Sequence, residues 1–269
     1  MEFSNRISRA WLGWTQEKGT QVLKNVCIGL AIAVLAVAPG AARAADWGHL
    51  YSYVDWASDY RFYGASESNR HSVEQGGLHW AAPDNYYAGV FVTGVDAKDY
   101  RNTSYEVDLY GGRHVYFDGN DLNLEALYSF DPDTAGHPTY TAPGTIYPTY
   151  NFFSVSAELT HSFGKLALGG KLIVEPRPDS HGGLLWSLNG TASYGIADWL
   201  KASADLGHQW VALRTPSTHW DIGATATWRQ QWALDVRYYG TDISVANCYG
   251  TNWCEPAVVA KVTYSFMVL

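Results

Sequence analysis

Apolar and polar residues alternate with a period of two along most of the chain beyond residue 50. The clearest case is the last stretch, residues 257–266. Val258, Ala260, Val262, Tyr264 and Phe266 fall on one face; Val259, Lys261, Thr263 and Ser265 fall on the other. Period two marks a strand with one apolar and one mostly polar side. The same rhythm predicts eleven strands ahead of it, over 50–62, 76–82, 86–95, 104–116, 121–130, 150–163, 165–174, 183–194, 199–211, 218–228 and 232–240. Both parities of 86–95 carry apolar residues, so its facing stays open.

The connections alternate between long and short. Short turns are expected at 83–85, 118–120, 164, 195–198 and 229–231; the other links are longer and polar, the longest being 131–149 with four prolines. Asp118-Gly119-Asn120 is a strong hairpin signal. An even number of strands near ten residues long, with short turns at one end and long loops at the other, predicts an all-β fold. That fold is a transmembrane antiparallel up-and-down β-barrel of about twelve strands, its short turns periplasmic and its longer loops extracellular.

Residues 1–44 read differently. Arg6, Arg9, Lys18 and Lys24 precede an apolar run, Val26 to Ala38, that is too short to span a bilayer as a helix. Pro39-Gly40 break the run, and Ala42-Arg43-Ala44 has the small-x-small form of a signal-peptidase site. A signal peptide over 1–44, cleaved after Ala44, leaves 45–269 as one barrel. Cys27 lies early in the run, without the arrangement of a lipid anchor. Cleavage takes five basic and two acidic residues from the 18 and 26 of the whole chain, leaving 13 against 24. So acidic a chain argues against nucleic acid as a partner. Export also places Cys248 and Cys254 in an oxidising compartment, where a disulfide is the default.

The apolar face points outward, for three reasons. Trp210 and Trp220 flank one loop and Trp228 and Trp232 flank one turn, as an aromatic girdle at a lipid interface requires. The centres of the apolar faces are small (Ala202, Ala204, Ala224, Ala226, Gly190), which suits lipid and fills a core badly. The opposite face carries charges that a soluble barrel could not bury unpaired.

Those charges are then the candidate pore lining. The first six strands contribute Asp55, Asp59, Glu106, Asp108, Glu125 and Glu158 against Arg61. The last six contribute Lys165, Lys171, Lys201, Arg229, Arg237 and Lys261 against Asp205, Asp221 and Asp235. An acidic half-wall facing a mainly basic one would set a transverse field that favours small polar solutes. Twelve strands make a barrel narrower than the open 16–18-stranded porins. The expected function is passage of small hydrophilic solutes through a narrow charged lumen of a Gram-negative outer membrane, with 131–149 a candidate for folding inward. The alternative is a non-conducting structural barrel, or a surface receptor or adhesin working through its loops. No catalytic residues are expected: His161 with Ser162, and His208 with Asp205, have opposed facings, and neither a G-x-S-x-G elbow nor an H-E-x-x-H motif occurs. No cofactor or metal is implied. The expected partners are outer-membrane lipid and small polar solutes.

The run Ser58-Asp-Tyr-Arg-Phe-Tyr-Gly-Ala-Ser-Glu-Ser68 resembles the early S-D-Y-x-F-R-G-x-S-x-S segment of the TorF-type porin family. Gln75-Gly-Gly-Leu78, Tyr86-Tyr-Ala-Gly-Val90, Glu106-Val-Asp-Leu-Tyr-Gly-Gly112 and a paired-cysteine loop before a final strand ending in Ser-Phe match as well. The resemblance implies a porin and names no solute. Two positions depart from it: Tyr63 stands where that family usually has a basic residue, and Met267-Val-Leu269 follow the usual terminal Phe266. The closing strand is the expected signal to the barrel assembly machinery, and the three trailing residues are expected to hinder it.

Overall fold

The computed structural model describes residues 47–96, 103–132, 151–176, 184–211 and 215–269. The expected leader with its cleavage site, and most of the 131–149 loop, lie outside these residues. The described strands are β1 (His49–Ala57), β2 (Arg61–Phe62), β3 (Ala65–Ser66), β4 (Val73–Ala81), β5 (Tyr86–Gly94), β6 (Tyr105–Phe117) and β7 (Asn120–Phe130). They continue with β8 (Phe152–Phe163), β9 (Leu166–Glu175), β10 (Leu185–Ala197), β11 (Leu200–Val211), β12 (Ser217–Trp228), β13 (Trp232–Thr241) and β14 (Ala257–Met267). Twelve of them, β1 and β4 to β14, close into one antiparallel barrel in sequence order, and β2 pairs only with β3.

Strand positions agree with the alternation to within a few residues, with one exception. The first strand ends at Ala57 rather than continuing to residue 62. Asp59 and Arg61 therefore leave the wall, although the alternation of side chains runs on through them. The open facing of 86–95 is settled by register: Trp80 pairs with Ala88 and Leu78 with Val90, so Tyr86, Ala88 and Val90 share the outer row. Tyr87, Gly89, Phe91 and Thr93 line the interior.

The barrel is inside-out relative to a soluble protein. Its outer rows expose Leu109, Leu124, Leu159, Leu172, Leu188, Leu206, Ile222, Val236 and Val258, with Leu206 59 % and Ile222 60 % exposed. Its inner rows hold Ser, Thr, Asn, Tyr and charged residues. Aromatics gather on the outside at both rims. At the short-turn rim the rings of Trp228 and Trp232 stack 6.0 Å apart, Trp232 meets Tyr264 at 4.7 Å, and Tyr264 meets Phe266 at 5.8 Å. Toward the long loops Trp186 and Trp210 stack at 3.9 Å, with Trp220 on the next strand.

Close packing on the inner wall depends on glycines opposite tyrosines. Tyr110 lies across Gly89, and Tyr87 across Gly112, where any β-carbon would collide with the phenol ring. Each ring thus lies flat against the neighbouring strand rather than projecting into the lumen, a cross-strand pairing that also stiffens a strand weakened by glycine.

The tail is part of the barrel. Met267 pairs with Tyr51 in the β1–β14 register. The Val268 amide donates to the Leu50 carbonyl at 2.7 Å, and the Leu50 amide donates to the Leu269 carbonyl at 3.0 Å. The last three residues therefore extend the closing seam instead of trailing from it. Deleting Val268 and Leu269 removes both bonds. At about 1 kcal/mol per bond the refolded barrel should lose roughly 2 kcal/mol, read as a lower urea midpoint at unchanged slope.

Candidate functional site

The feature that controls the lumen is the segment between β1 and β4. It leaves the wall at Ser58, whose amide donates to the Ala260 carbonyl at 2.9 Å, and turns inward. There β2 and β3 form a two-residue hairpin around Tyr63 and Gly64, both at positive φ (48° and 81°). That is the handedness a tight hairpin turn demands, and glycine meets it without strain. Gly64 also has no room for a side chain, because a β-carbon would lie 2.6 Å from the Gly240 carbonyl oxygen on β13.

A buried polar cluster holds the base of this hairpin. Arg61 Nε donates to Asp59 Oδ2 at 2.8 Å, and the two side chains are 1 % and 6 % exposed. Ser66 Oγ donates to Asp59 Oδ1 at 2.6 Å, and Ser68 Oγ lies 2.8 Å from the same oxygen. Arg61 Nη1 donates to the carbonyls of Gly64 and Glu255. A buried ion pair needs further hydrogen bonds to its remaining atoms; the two serines and two carbonyls supply all but one, and Arg61 Nη2 stays buried without a partner among the described residues.

From this base the hairpin reaches across the mouth. Tyr60 Oη donates to Glu106 Oε1 on β6 at 2.9 Å. Burial, and after it the Glu106 carboxylate, hold the Tyr60 phenol well above its ordinary pKa, which keeps it a donor. The Phe62 ring lies 6.3 Å from Phe152 on β8, and Tyr63 lies 5.1 Å from the His219 ring on β12. Tyr63 Oη donates to Glu175 Oε1 on β9 at 2.9 Å. In the closed order of twelve strands β9 is six places from β1 in either direction, so the hairpin rooted at β1 reaches the opposite wall. Beside the hairpin lies a cavity of about 140 Å³, bounded by Tyr60, Phe62 and Tyr63 of the hairpin and by Glu125, Ser156, Lys171 and Ile173 on the wall.

The expected lining divides into three groups. Asp55, Glu106, Asp108, Glu125, Glu158, Lys171, Lys201, Asp205, Asp221, Asp235, Arg237 and Lys261 all sit on the inner parity of their strands. Asp59 and Arg61 belong to the hairpin. Lys165 and Arg229 lie exposed in the tight turns before β9 and after β12, at the rim and not along the wall; Arg229 adopts φ 53°. The expected opposition of an acidic and a basic half-wall is only half present. Arg237 is held by Asp221 and by Asp235 on its own strand, and its Nη2 donates to Ser203 Oγ at 2.7 Å. Among the described residues, Lys171, Lys201, Arg237 and Lys261 are balanced on β9 to β14 by Glu175, Asp205, Asp221 and Asp235. Among the described residues, the wall strands on the acidic side, β1 and β4 to β8, carry no inward lysine or arginine; Arg61 is on the hairpin, paired with Asp59.

His208 and Asp205 lie on opposite faces of β11. His208 Nδ1 is 2.9 Å from Thr218 Oγ1, while Asp205 faces inward, 3.8 Å from His219. His161 points outward to Asn120, away from Ser162. Tyr60, Tyr63, Phe62 and Glu175 did not emerge from the sequence. The hairpin was legible only as the run matching the TorF-type segment; its partners on β6 and β9 lie far away in sequence. The Arg237–Asp221 pair could have been found by counting back from the 229–231 turn, which sets the two on diagonal inner positions.

The cysteines form the expected disulfide, with Cα atoms 6.0 Å apart. Together with Trp253 they make a buried cluster against which Ala65, Ile243 and Tyr249 pack.

No curated protein matches the chain in sequence. Among solved structures, the KdgM porin in complex with disordered oligogalacturonate is similar with a TM-score of 0.55 and 7 % identity, over 81 % of this chain and 99 % of that one. The NanC porin is similar with a TM-score of 0.54 and 10 % identity, over 80 % and 98 %. At such identities the likeness speaks for the fold alone, a closed antiparallel β-barrel. The family model described as "Bacterial protein of unknown function (Gcw_chp)" matches residues 41–267, and the chain belongs to that family.

Proposed function

We propose that this protein is an outer-membrane channel that passes small hydrophilic solutes through a charged lumen, narrowed at its long-loop mouth by the 58–72 hairpin. The observation that carries the reading is the inside-out barrel: an apolar, aromatic-rimmed exterior around a charged interior with a cavity. Lipid satisfies such an exterior, and closure leaves no unpaired backbone in the apolar zone. On this reading Trp210, Trp220, Trp228 and Trp232 sit at the lipid interfaces, a leader cleaved after Ala44 directs export, and β14 is the strand presented to the assembly machinery. The resemblance of residues 58–68 to the TorF-type porins points the same way.

The inner charges set selectivity. With β9 to β14 near balance and β1 to β8 acidic, the lumen favours cations, and Lys171 with Lys201 moderate that preference. A second reading has its own support, because the hairpin touches the wall on both sides of the mouth. In it the barrel is sealed and acts through its long loops at the cell surface, as a structural element, receptor or adhesin.

Recording the purified protein in planar bilayers separates the two. Discrete conductance steps are expected, and silence at every voltage refutes the channel. Reversing Lys171 and Lys201 to glutamate should shift the reversal potential in a salt gradient further toward the cation equilibrium value, with the step size changed less than twofold. Replacing Gly64 with valine puts a branched side chain against the Gly240 carbonyl at positive φ, a strain of roughly 1–3 kcal/mol. The hairpin should then leave its seat. Single-channel conductance should rise while the barrel's heat resistance on electrophoresis is unchanged.

A further inference from the structure

The hairpin rests on a particular neighbour, the loop between β13 and β14, through bonds in or beside the disulfide ring Cys248–Cys254. The Ser66 amide donates to the Trp253 carbonyl at 3.0 Å. Arg70 Nη1 donates to the Asn252 carbonyl at 2.9 Å, and Arg61 Nη1 to the Glu255 carbonyl at 2.8 Å. In return Trp253 Nε1 donates to Asn69 Oδ1 at 2.7 Å. Carbonyls of three nearly consecutive residues thus point at one strip of the hairpin. That is an arrangement a short loop holds only if its backbone is constrained, and the ring closes on six residues of sequence separation.

The dependence also runs the other way. Cys248 and Cys254 are 2 % and 7 % exposed, and Ala65 of the hairpin packs against their cluster. A seated hairpin therefore covers the disulfide it depends on. Attack by a thiolate needs access to a sulfur atom, so the bond is shielded while the hairpin is in place and open to attack once it has lifted. Two elements that each stabilise the other's closed state are coupled reciprocally.

We propose that Cys248–Cys254 is a redox-sensitive latch on the mouth of the barrel, holding the 58–72 hairpin across the lumen when oxidised and releasing it when reduced. The reductant is a small thiol. With a dithiol, one thiolate attacks one sulfur to give a mixed disulfide, and the second thiol closes the reagent into its cyclic disulfide. Two electrons and two protons pass to the protein, leaving Cys248 and Cys254 as thiols. The Trp253 segment then loses its fixed backbone, and with it the alignment of the carbonyls of Asn252, Trp253 and Glu255. The latch rests on the channel reading only for its effect on conductance; the release itself is a structural event.

The test is hydrogen exchange of the full barrel in detergent, followed by mass spectrometry before and after dithiothreitol, with thiol alkylation to confirm reduction. Exchange in peptides covering 58–72 should speed by tenfold or more on reduction, with β9 to β12 unchanged. The Cys248→Ser/Cys254→Ser double variant should match the reduced protein, which covers the case of a bond that resists the reagent. Gly64→Val should make the wild-type disulfide reducible several times faster. Unchanged protection of 58–72 in both the reduced protein and the double variant overturns the latch, whatever the bilayer recordings show. Faster exchange in a barrel that never conducts keeps the latch and removes the channel.

Discussion

Everything in this structure follows from the need to pair each backbone amide and carbonyl of the strands inside the sheet. In lipid an unpaired peptide group costs several kcal/mol, so a sheet that crosses it must have no edge. The β1–β14 seam removes the last edge, and the chain uses its final residues for it: Val268 and Leu269 both bond to Leu50. Once the ring is closed, the pleat decides the rest. Every second side chain must meet lipid, and every other one must meet whatever fills the middle.

That division leaves little apolar material for the inside. Among the described residues the buried hydrophobic cluster is the small group around Cys248, Trp253 and Cys254, outside the spanning strands. The interior is organised instead by flat tyrosines over glycines and by polar networks. Arg237 shared among Asp221, Asp235 and Ser203 is one such network; Asp59 with Arg61, Ser66 and Ser68 is another. Partly satisfied networks are costly in a low-dielectric interior, whereas well-satisfied ones specify a single geometry. The hairpin is held by directional bonds to β6, β9 and the disulfide loop. Such an element can be seated firmly and still be displaced without disturbing the barrel that surrounds it.

Much of this was legible beforehand. The strands, the alternating turns, the outward facing of the apolar rows and the cysteine pair follow from period-two patterning and local turn chemistry, which are properties of neighbours along the chain. Residues 50–62 show where such reading stops. Their alternation continues past Ala57 without a break, yet the wall ends there. The competing interaction, Asp59 bonded to Arg61, Ser66 and Ser68, folds the segment back on itself, and its partners across the lumen are Glu106 and Glu175. In the same way, of the charges read as a basic half-wall, Lys171, Lys201, Arg237 and Lys261 are on the inner face while Lys165 and Arg229 lie in rim turns, and Arg237 already has its counter-ions on neighbouring positions.

By itself, then, the sequence determined a closed twelve-stranded antiparallel barrel, which side of most strands meets lipid, and most of the charged residues on the inner wall. Side-chain parity and turn length are local quantities, and they leave one solution once an edge is forbidden. Only the tertiary structure decided that the first long loop enters the mouth, that Tyr63 bridges to the opposite wall, and that the disulfide ring serves as its seat. Those outcomes depend on which polar groups, far apart in sequence, come within about 3 Å of one another. Alternation along a strand carries no information about distance across a barrel.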